Sequence, residues 1–298
     1  MTKAIVVPPV FAEYRIADSG AAGQRWVEAL PRLVQRLCAD WGLEVEGGQL
    51  LHGYLGLVVP VRRGRERYML KVSSAEDTTA VEARALRAWG GRGAVRLLAA
   101  RVEDGALLLE RLDARRSLRD LDLLDAAEAA GALLRRLSVP APSGFPALRD
   151  VATRIAQSLP ARQVRLGHPV PPEWLDAACA LAHDLGSRAG SYLVHGDLHY
   201  DNVLAGEREP WLTVDPKPVV GDPEYAIPEL LWTRADDAGG EGGLRRLLGV
   251  LVGSGGLDTG IARGWATVRC VDYWLWGLEH GLTEDPVRCR RVLEAVAA

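Results

Sequence analysis

His195-Gly196-Asp197-Leu198-His199-Tyr200-Asp201-Asn202, followed by Trp211-Leu212-Thr213-Val214-Asp215-Pro216-Lys217, is the stretch on which the reading of this chain turns. Asn202, the only asparagine in the sequence, stands five residues after Asp197, and Asp215 stands thirteen residues after Asn202. An aspartate, an asparagine five positions on and a second aspartate at the end of a short apolar strand form the pattern of a phosphoryl-transfer site. In that pattern the first aspartate takes a proton from a hydroxyl, and the other two groups hold Mg²⁺ on nucleotide phosphates. The residue types follow from the chemistry, because Mg²⁺ is a hard cation that prefers carboxylate and amide oxygen to imidazole nitrogen. Asp197 and Asn202 as mere turn caps would account for neither the spacing nor Asp215.

The remaining composition narrows the class. A chain of 298 residues, 48% apolar and with mean hydropathy near zero, is long enough for one large or two medium globular domains. The longest apolar run, residues 247–252, is far too short to span a bilayer. Residues 1–9 lack a signal-peptide core, so the expected setting is cytoplasmic, without a membrane. Cys38, Cys179, Cys270 and Cys289 are scattered without zinc spacing and read as thiols in a reducing compartment.

A net charge of −3 argues against a nucleic-acid partner. Residues 1–111 carry +3 and residues 112–298 carry −6. A basic first part suits an anionic nucleotide and an acidic second part a cationic small-molecule acceptor. Only Lys3, Lys71 and Lys217 are lysine among 36 basic residues, so the others are arginine. Lysine in such a chain marks places where a compact ammonium serves better than a planar fork. Lys71 fits that description; Lys217 reads as a solvent-facing residue.

Periodicity places an amphipathic helix over residues 24–41, then strands around 57–61, 68–72, 95–99 and 106–109, with a helix over 75–89 between the second and third. Ser74, Glu76 and Asp77 suit the start of that helix. From residue 123 onward the pattern is helical (123–137, 150–158, 174–187, 226–234, 242–252, 259–280, 286–297), interrupted by a hairpin at 203–204 and 212–214. The expected fold is therefore α+β and bilobal. A small β-rich lobe with one internal helix covers residues 1–111, a larger helical lobe covers 112–298, and nucleotide lies in the cleft of a kinase.

Further residues acquire expected roles in that frame. Lys71 on the strand at 68–72 would contact phosphates while paired with Glu82 on the next helix, in line with Leu86 and Trp89. Gly53 and Gly56 in His52-Gly53-Tyr54-Leu55-Gly56 would form a flap over the phosphates, though a plain hairpin turn reads almost as well. Glu110 and Leu112, after the last strand of the small lobe, would offer backbone groups to adenine. His195 and His199 lack a third soft ligand and read as packing residues rather than a zinc site. No GxxxxGK[ST] and no GxGxxG after a first strand occurs.

At these residues the chain resembles the aminoglycoside phosphotransferase family, and within it the branch of streptomycin 6-phosphotransferases and hydroxyurea-resistance kinases. The resemblance extends over nearly the whole length. Its carriers are Leu86-Arg-Ala-Trp89-Gly-Gly, Val95-Arg-Leu-Leu98, Leu107-Leu-Leu-Glu110-Arg-Leu-Asp113, the 195–204 run, Glu209-Pro-Trp-Leu-Thr-Val-Asp215-Pro, Gly221-Asp-Pro and Leu275-Trp-Gly-Leu-Glu279. It implies a protein-kinase-like fold, ATP with Mg²⁺, Asp197 as base, Asn202 and Asp215 as metal ligands, and Lys71 with Glu82 at the phosphates. It further implies an antibiotic hydroxyl as acceptor, streptomycin at its 6-position in the branch. The alternatives are another hydroxyl compound such as hydroxyurea, or a catalytically idle binding protein on the same fold. The chain departs from the family at Ala226, where many members carry an acidic residue that supports the catalytic loop; Asp222 or Glu224 is left to supply it. Two guanidinium groups on streptomycin would suit carboxylates, and Glu224, Glu229, Asp236, Asp272 and Glu279, with Trp276 for stacking, are the acceptor candidates.

Overall fold

The computed structural model describes residues 5–47, 50–53, 55–74 and 76–296, with the side chains of Glu76 and Asp77 and the whole of Tyr54 outside that description. The chain divides into two compact units, Met1–Gly91 with Val95–Leu112, and Arg92–Ala94 with Asp113–Ala298. The division thus falls after Leu112 instead of Arg111, and the short segment Arg92–Ala94 belongs with the second unit.

In the first unit the helix α1 (Pro9–Trp41) begins fifteen residues before the periodic stretch that announced it. Gly20, at φ 56°, bends it, and this bend interrupts the apolar spacing on which the expected start rested. The strands β1 (Glu44–Val45), β2 (Leu51–His52), β3 (Gly56–Arg63), β4 (Glu66–Ser73), β5 (Leu97–Arg101) and β6 (Ala106–Glu110) form one antiparallel sheet in the order β1-β3-β4-β6-β5, with β2 also on β3. The helix α2 (Glu76–Trp89) connects β4 to β5. Alternation along the strands sends Leu57, Val59, Val61, Leu70 and Val72 into a core with Leu30, Val34 and Leu37 of α1. Lys71, one step out of that register, therefore points to the opposite face of the sheet.

The second unit is mainly helical. Its helices are α3 (Leu123–Leu137), α4 (Leu148–Arg165), α5 (Pro172–Ser187), α6 (Ile227–Trp232), α7 (Glu241–Gly255), α8 (Thr259–Glu279) and α9 (Glu284–Val296). Two small antiparallel sheets accompany them. One has the order β11-β10-β7, from β7 (Asp113–Ser117), β10 (Val203–Ala205) and β11 (Trp211–Thr213); the other has the order β12-β9-β8, from β8 (Val139–Pro140), β9 (Tyr192–Val194) and β12 (Val219–Gly221). Strands of two to five residues flanked by helices carry too little alternation to be read in advance, which is why β7, β8, β9 and β12 were not expected. Trp265 of α8 is fully buried at the centre of this core, together with Leu198, Tyr200 and Leu230. Among the described residues no helix is long and apolar enough to cross a membrane.

Candidate active site

In the first unit, Lys71 sits mid-strand, paired across to Val58 of β3 and Leu107 of β6. Its Nζ lies 2.8 Å and 2.7 Å from the two carboxylate oxygens of Glu82 on α2. Both side chains are enclosed, with 11% and 7% of their surfaces exposed. Hydrogen bonds from one ammonium to both oxygens offset the desolvation of two charges, which an enclosed pair otherwise does not recover. The turn ahead of β3 is closed by the Gly53 N–H donating to Gly56 O at 3.1 Å, with Tyr54, between them, outside the described residues. At the end of β6, the Glu110 N–H already donates to Arg96 O and its carboxylate accepts from Arg96 N. Leu112 is buried two residues on.

The second unit holds the 195–202 run as a loop anchored at both ends and along its length. Leu198 and Tyr200 plug into the core, and three bonds lace the loop to the strand that follows. Val214 N donates to Asn202 O at 2.9 Å, Lys217 N donates to His195 O at 2.8 Å, and the His195 ring lies 3.0 Å from Val214 O through Nε2. A carbonyl only accepts, so Nε2 carries the hydrogen. Burial pushes the His195 imidazole down to about 4, against the fields of Asp197 and Asp215, and the ring is neutral at neutral pH. Gly196 has φ 74°, and a Cβ there would stand 2.0 Å from Lys217 O. Only glycine lets the two backbones approach so closely.

Asn202 Nδ2 donates to Asp197 O at 2.9 Å, which fixes the amide and leaves its oxygen as the group able to ligate a cation. Asp215 adopts φ 54°, one of two non-glycine residues with positive φ among those described. A left-handed aspartate costs on the order of 1–3 kcal/mol and persists where surroundings over-determine it. The Asp197 carboxylate is met by Lys217, whose Nζ lies 2.7 Å from Oδ2. Lys217 is thus solvent-facing as expected, with 63% of its side chain exposed, and also meets the candidate base. Desolvation works to lower its pKa, but the fields of Asp197, Asp215 and Glu229 outweigh it and hold the ammonium above its ordinary value. His199 lies 3.4 Å from Asp201, and Arg119 Nε lies 2.9 Å from each oxygen of Asp201. The His199 contact and Arg119 depress the Asp201 carboxyl to about 2.

The support expected from Asp222 or Glu224 lies elsewhere. Asp222 accepts from Gly190 N at 2.7 Å and from the Trp265 indole at 3.0 Å, tying the approach to β9 to α8. Glu224 accepts from Asp258 N at the head of α8, and burial raises its carboxyl above the usual range. The catalytic-loop candidate is instead held by the backbone of Val214 and Lys217.

The acceptor candidates do not form a field of vacant carboxylates. Glu229 is buried against Arg269 at 2.8 Å, Asp236 meets Arg288 and Arg291, Asp272 meets Arg162, and Glu279 meets Arg162 and Arg165. Each partner lies tens of residues away in sequence, so composition alone shows the acid and hides its arginine. Burial pushes the Glu229 carboxyl up, and one of its oxygens has no hydrogen-bond partner among the described residues. Trp276 belongs to a stack: Trp232 and Tyr273 are parallel at 4.7 Å, Tyr273 and Trp276 at 5.3 Å, and Trp276 and His280 at 4.1 Å. Arg269 closes the buried end, 5.2 Å from the Trp232 ring and 4.5 Å from that of Tyr225. Lys217 and Arg119, which meet the loop at Asp197 and Asp201, and Arg269, which meets Glu229, are charged residues that sequence reasoning missed. Only the rarity of lysine signalled Lys217, and nothing local signalled Arg269.

Among the described residues no three His, Cys, Asp or Glu side chains gather as a metal cage. Asn202 and Asp215 supply oxygen donors only, which fits a Mg²⁺ that arrives on phosphates and takes one or two protein ligands.

A family model described as aminoglycoside/hydroxyurea antibiotic resistance kinase matches residues 41–281. Hydroxyurea phosphotransferase of Kitasatospora aureofaciens is 42% identical over 98% of this chain and 86% of its own length. Streptomycin 6-kinase of Streptomyces griseus is 38% identical over 98% of this chain and 97% of its own. Among solved structures, a thermostable mutant of aminoglycoside phosphotransferase APH(4)-Ia in ternary complex with AMP-PNP and hygromycin B aligns with a TM-score of 0.61. It is 17% identical, and the alignment covers 91% of this chain and 99% of that one.

Proposed function

This chain belongs to the aminoglycoside/hydroxyurea antibiotic resistance kinase family, and on that premise we propose that it transfers the γ-phosphoryl group of ATP to the 6-hydroxyl of streptomycin. The observation that carries the reading is the lacing of the 195–202 loop to Val214 and Lys217, which sets Asp197, Asn202 and Asp215 on adjoining turns of backbone. In this reading Asp197 takes the proton of the acceptor hydroxyl as its oxygen attacks the γ-phosphorus and the bond to the ADP oxygen breaks. Asn202 and Asp215 hold Mg²⁺, which supplies charge neutralisation on the phosphates. Lys71, fixed by Glu82, takes the phosphates in the same scheme. The neutral His195 takes no part in proton transfer and serves as the strut between the loop and Val214.

The acidic second unit and the half-exposed Trp276 support a cationic acceptor, with the guanidinium groups exchanging against Arg162 or stacking on the ring. Likeness to the Kitasatospora hydroxyurea phosphotransferase favours a second reading, in which a small neutral hydroxyl compound is the acceptor. ADP release measured with streptomycin, hydroxyurea and a panel of other hydroxylated antibiotics separates the two. Turnover with streptomycin and phosphate found at its 6-position supports the first, and turnover with hydroxyurea alone replaces it by the second.

A further inference from the structure

The Lys217–Asp197 contact poses a chemical question. A carboxylate that must accept a proton is held at 2.7 Å by an ammonium. While that contact lasts, the ammonium takes up part of the carboxylate's accepting capacity, at Oδ2. The contact is also open, since 63% of the Lys217 side-chain surface remains exposed while it is made. The carboxylate is more covered, at 18%, so the solvated end of the pair, and the end free to move, is the ammonium. The backbone of Lys217, by contrast, is fixed: its N–H donates to His195 O and its carbonyl lies over Gly196. A rigid base with a mobile, solvent-facing ammonium is suited to swing about a fixed point. Lys217 also stands two residues beyond the strained Asp215, so its reach covers the neighbourhood in which the transferred group would lie.

We propose that Lys217 is a catalytic residue for the transfer itself, its ammonium passing from the Asp197 carboxylate to the non-bridging oxygens of the γ-phosphoryl group. The inference rests on the kinase reading above and on the placement of this one side chain. In the resting state the ammonium neutralises the Asp197 carboxylate. When the phosphoryl group arrives, its oxygens compete for the same cation and the carboxylate is released to the acceptor hydroxyl. The attacking oxygen then forms its bond to phosphorus and the bond to ADP breaks. The hydroxyl proton moves to Asp197, and the Lys217 ammonium stays protonated throughout while it balances charge on the phosphoryl oxygens. A compact ammonium on a flexible stem suits this shuttling better than a planar fork, which accounts for lysine in a chain that otherwise uses arginine.

The test is equilibrium binding, which needs no turnover. The unaltered chain should bind MgADP, and should bind MgADP with aluminium fluoride, a mimic of the group in flight, more tightly. Lys217→Met should leave MgADP affinity unchanged and reduce the fluoride-dependent tightening by ~10²–10³-fold, the usual worth of one preorganised donor to developing charge. Retained tightening in the variant overturns the proposal, as does an equal loss of affinity for MgADP alone, which marks a structural role. Failure of the unaltered chain to bind MgADP overturns the kinase reading with it.

A second measurement avoids substitution. The chain has only Lys3, Lys71 and Lys217, so acetylation can be followed by peptide mass at each. Lys217 should be acetylated faster with MgADP alone than after aluminium fluoride is added. Equal labelling in both conditions contradicts the handover.

Discussion

Two lysine–carboxylate pairs, one in each unit, look alike as distances and differ in everything else. Lys71 and Glu82 meet at 2.8 and 2.7 Å through both oxygens, on a strand centre closed over by a helix, with hardly any surface left to water. Lys217 and Asp197 meet through one oxygen at 2.7 Å, on a loop, with the lysine mostly solvated. The first is a fixture, because both charges are withdrawn from water and separating them forfeits two charge-assisted bonds in an enclosed place. The second is an exchangeable contact on the lysine's side, because the Lys217 ammonium stands in water while the Asp197 carboxylate is largely covered, with 18% of its surface exposed. A similar separation between ammonium and carboxylate therefore serves opposite ends, position in one unit and movement in the other.

The largest effect that tests this contrast comes from Asp197→Asn. Turnover should fall by between ~10² and ~10⁴, the range for loss of a general base. Stability, by urea unfolding, should hold to within about 1 kcal/mol because Lys217 is solvated. A loss of stability comparable to that of an enclosed pair would erase the distinction. Glu82→Gln breaks the other pair and should lower stability by about 3–5 kcal/mol, since the enclosed Lys71 loses the carboxylate whose two oxygens it meets. A change below 1 kcal/mol would show Lys71 to be as solvated as Lys217.

A third test concerns the floor under the open pair. His195 is held near 4 by burial, whereas in the unfolded chain it titrates near 6.5. Between those values the unfolded state binds the extra proton, so stability is complete above pH 6.5 and falls as pH drops towards 4. The loss amounts to up to about 3 kcal/mol. Urea midpoints at pH 7 and pH 4.5 should converge in His195→Gln relative to the unaltered chain. If they do not, the ring is not enclosed and the loop has no rigid base. The smallest effect is expected for Lys217→Met on stability, below about 1 kcal/mol in either direction.

Much of this was legible because the chemistry is written locally. Asp197, Asn202 and Asp215 declare themselves by type and spacing, and the enclosed pair by one lysine on a strand and one glutamate on the next helix. The helices of the second unit were readable from their period, with ends that moved by three residues or fewer, except that α4 runs on to Arg165 instead of ending at 158. What escaped depends on partners distant in sequence. Asp222, expected to steady the loop, serves Gly190 and Trp265 instead, 32 and 43 residues away. The acidic acceptor candidates proved to be shared with arginines up to 117 residues off. The side chain of Lys217 was misjudged because solvent exposure and a functional contact were treated as exclusive, whereas an open pair has both.

The ring stack of Trp232, Tyr273, Trp276 and His280 has an optical consequence. Trp232 is shielded from water, while Trp276, 41% exposed, emits from a wet, polarisable surface beside an imidazole. Its fluorescence should lie to the red of that of the buried indoles and yield first to iodide. A difference spectrum against Trp276→Phe isolates this one emitter from the other eight tryptophans. A molecule that lands on the stack would then report itself by a blue shift and lost quenching, without a label and before any phosphate is transferred.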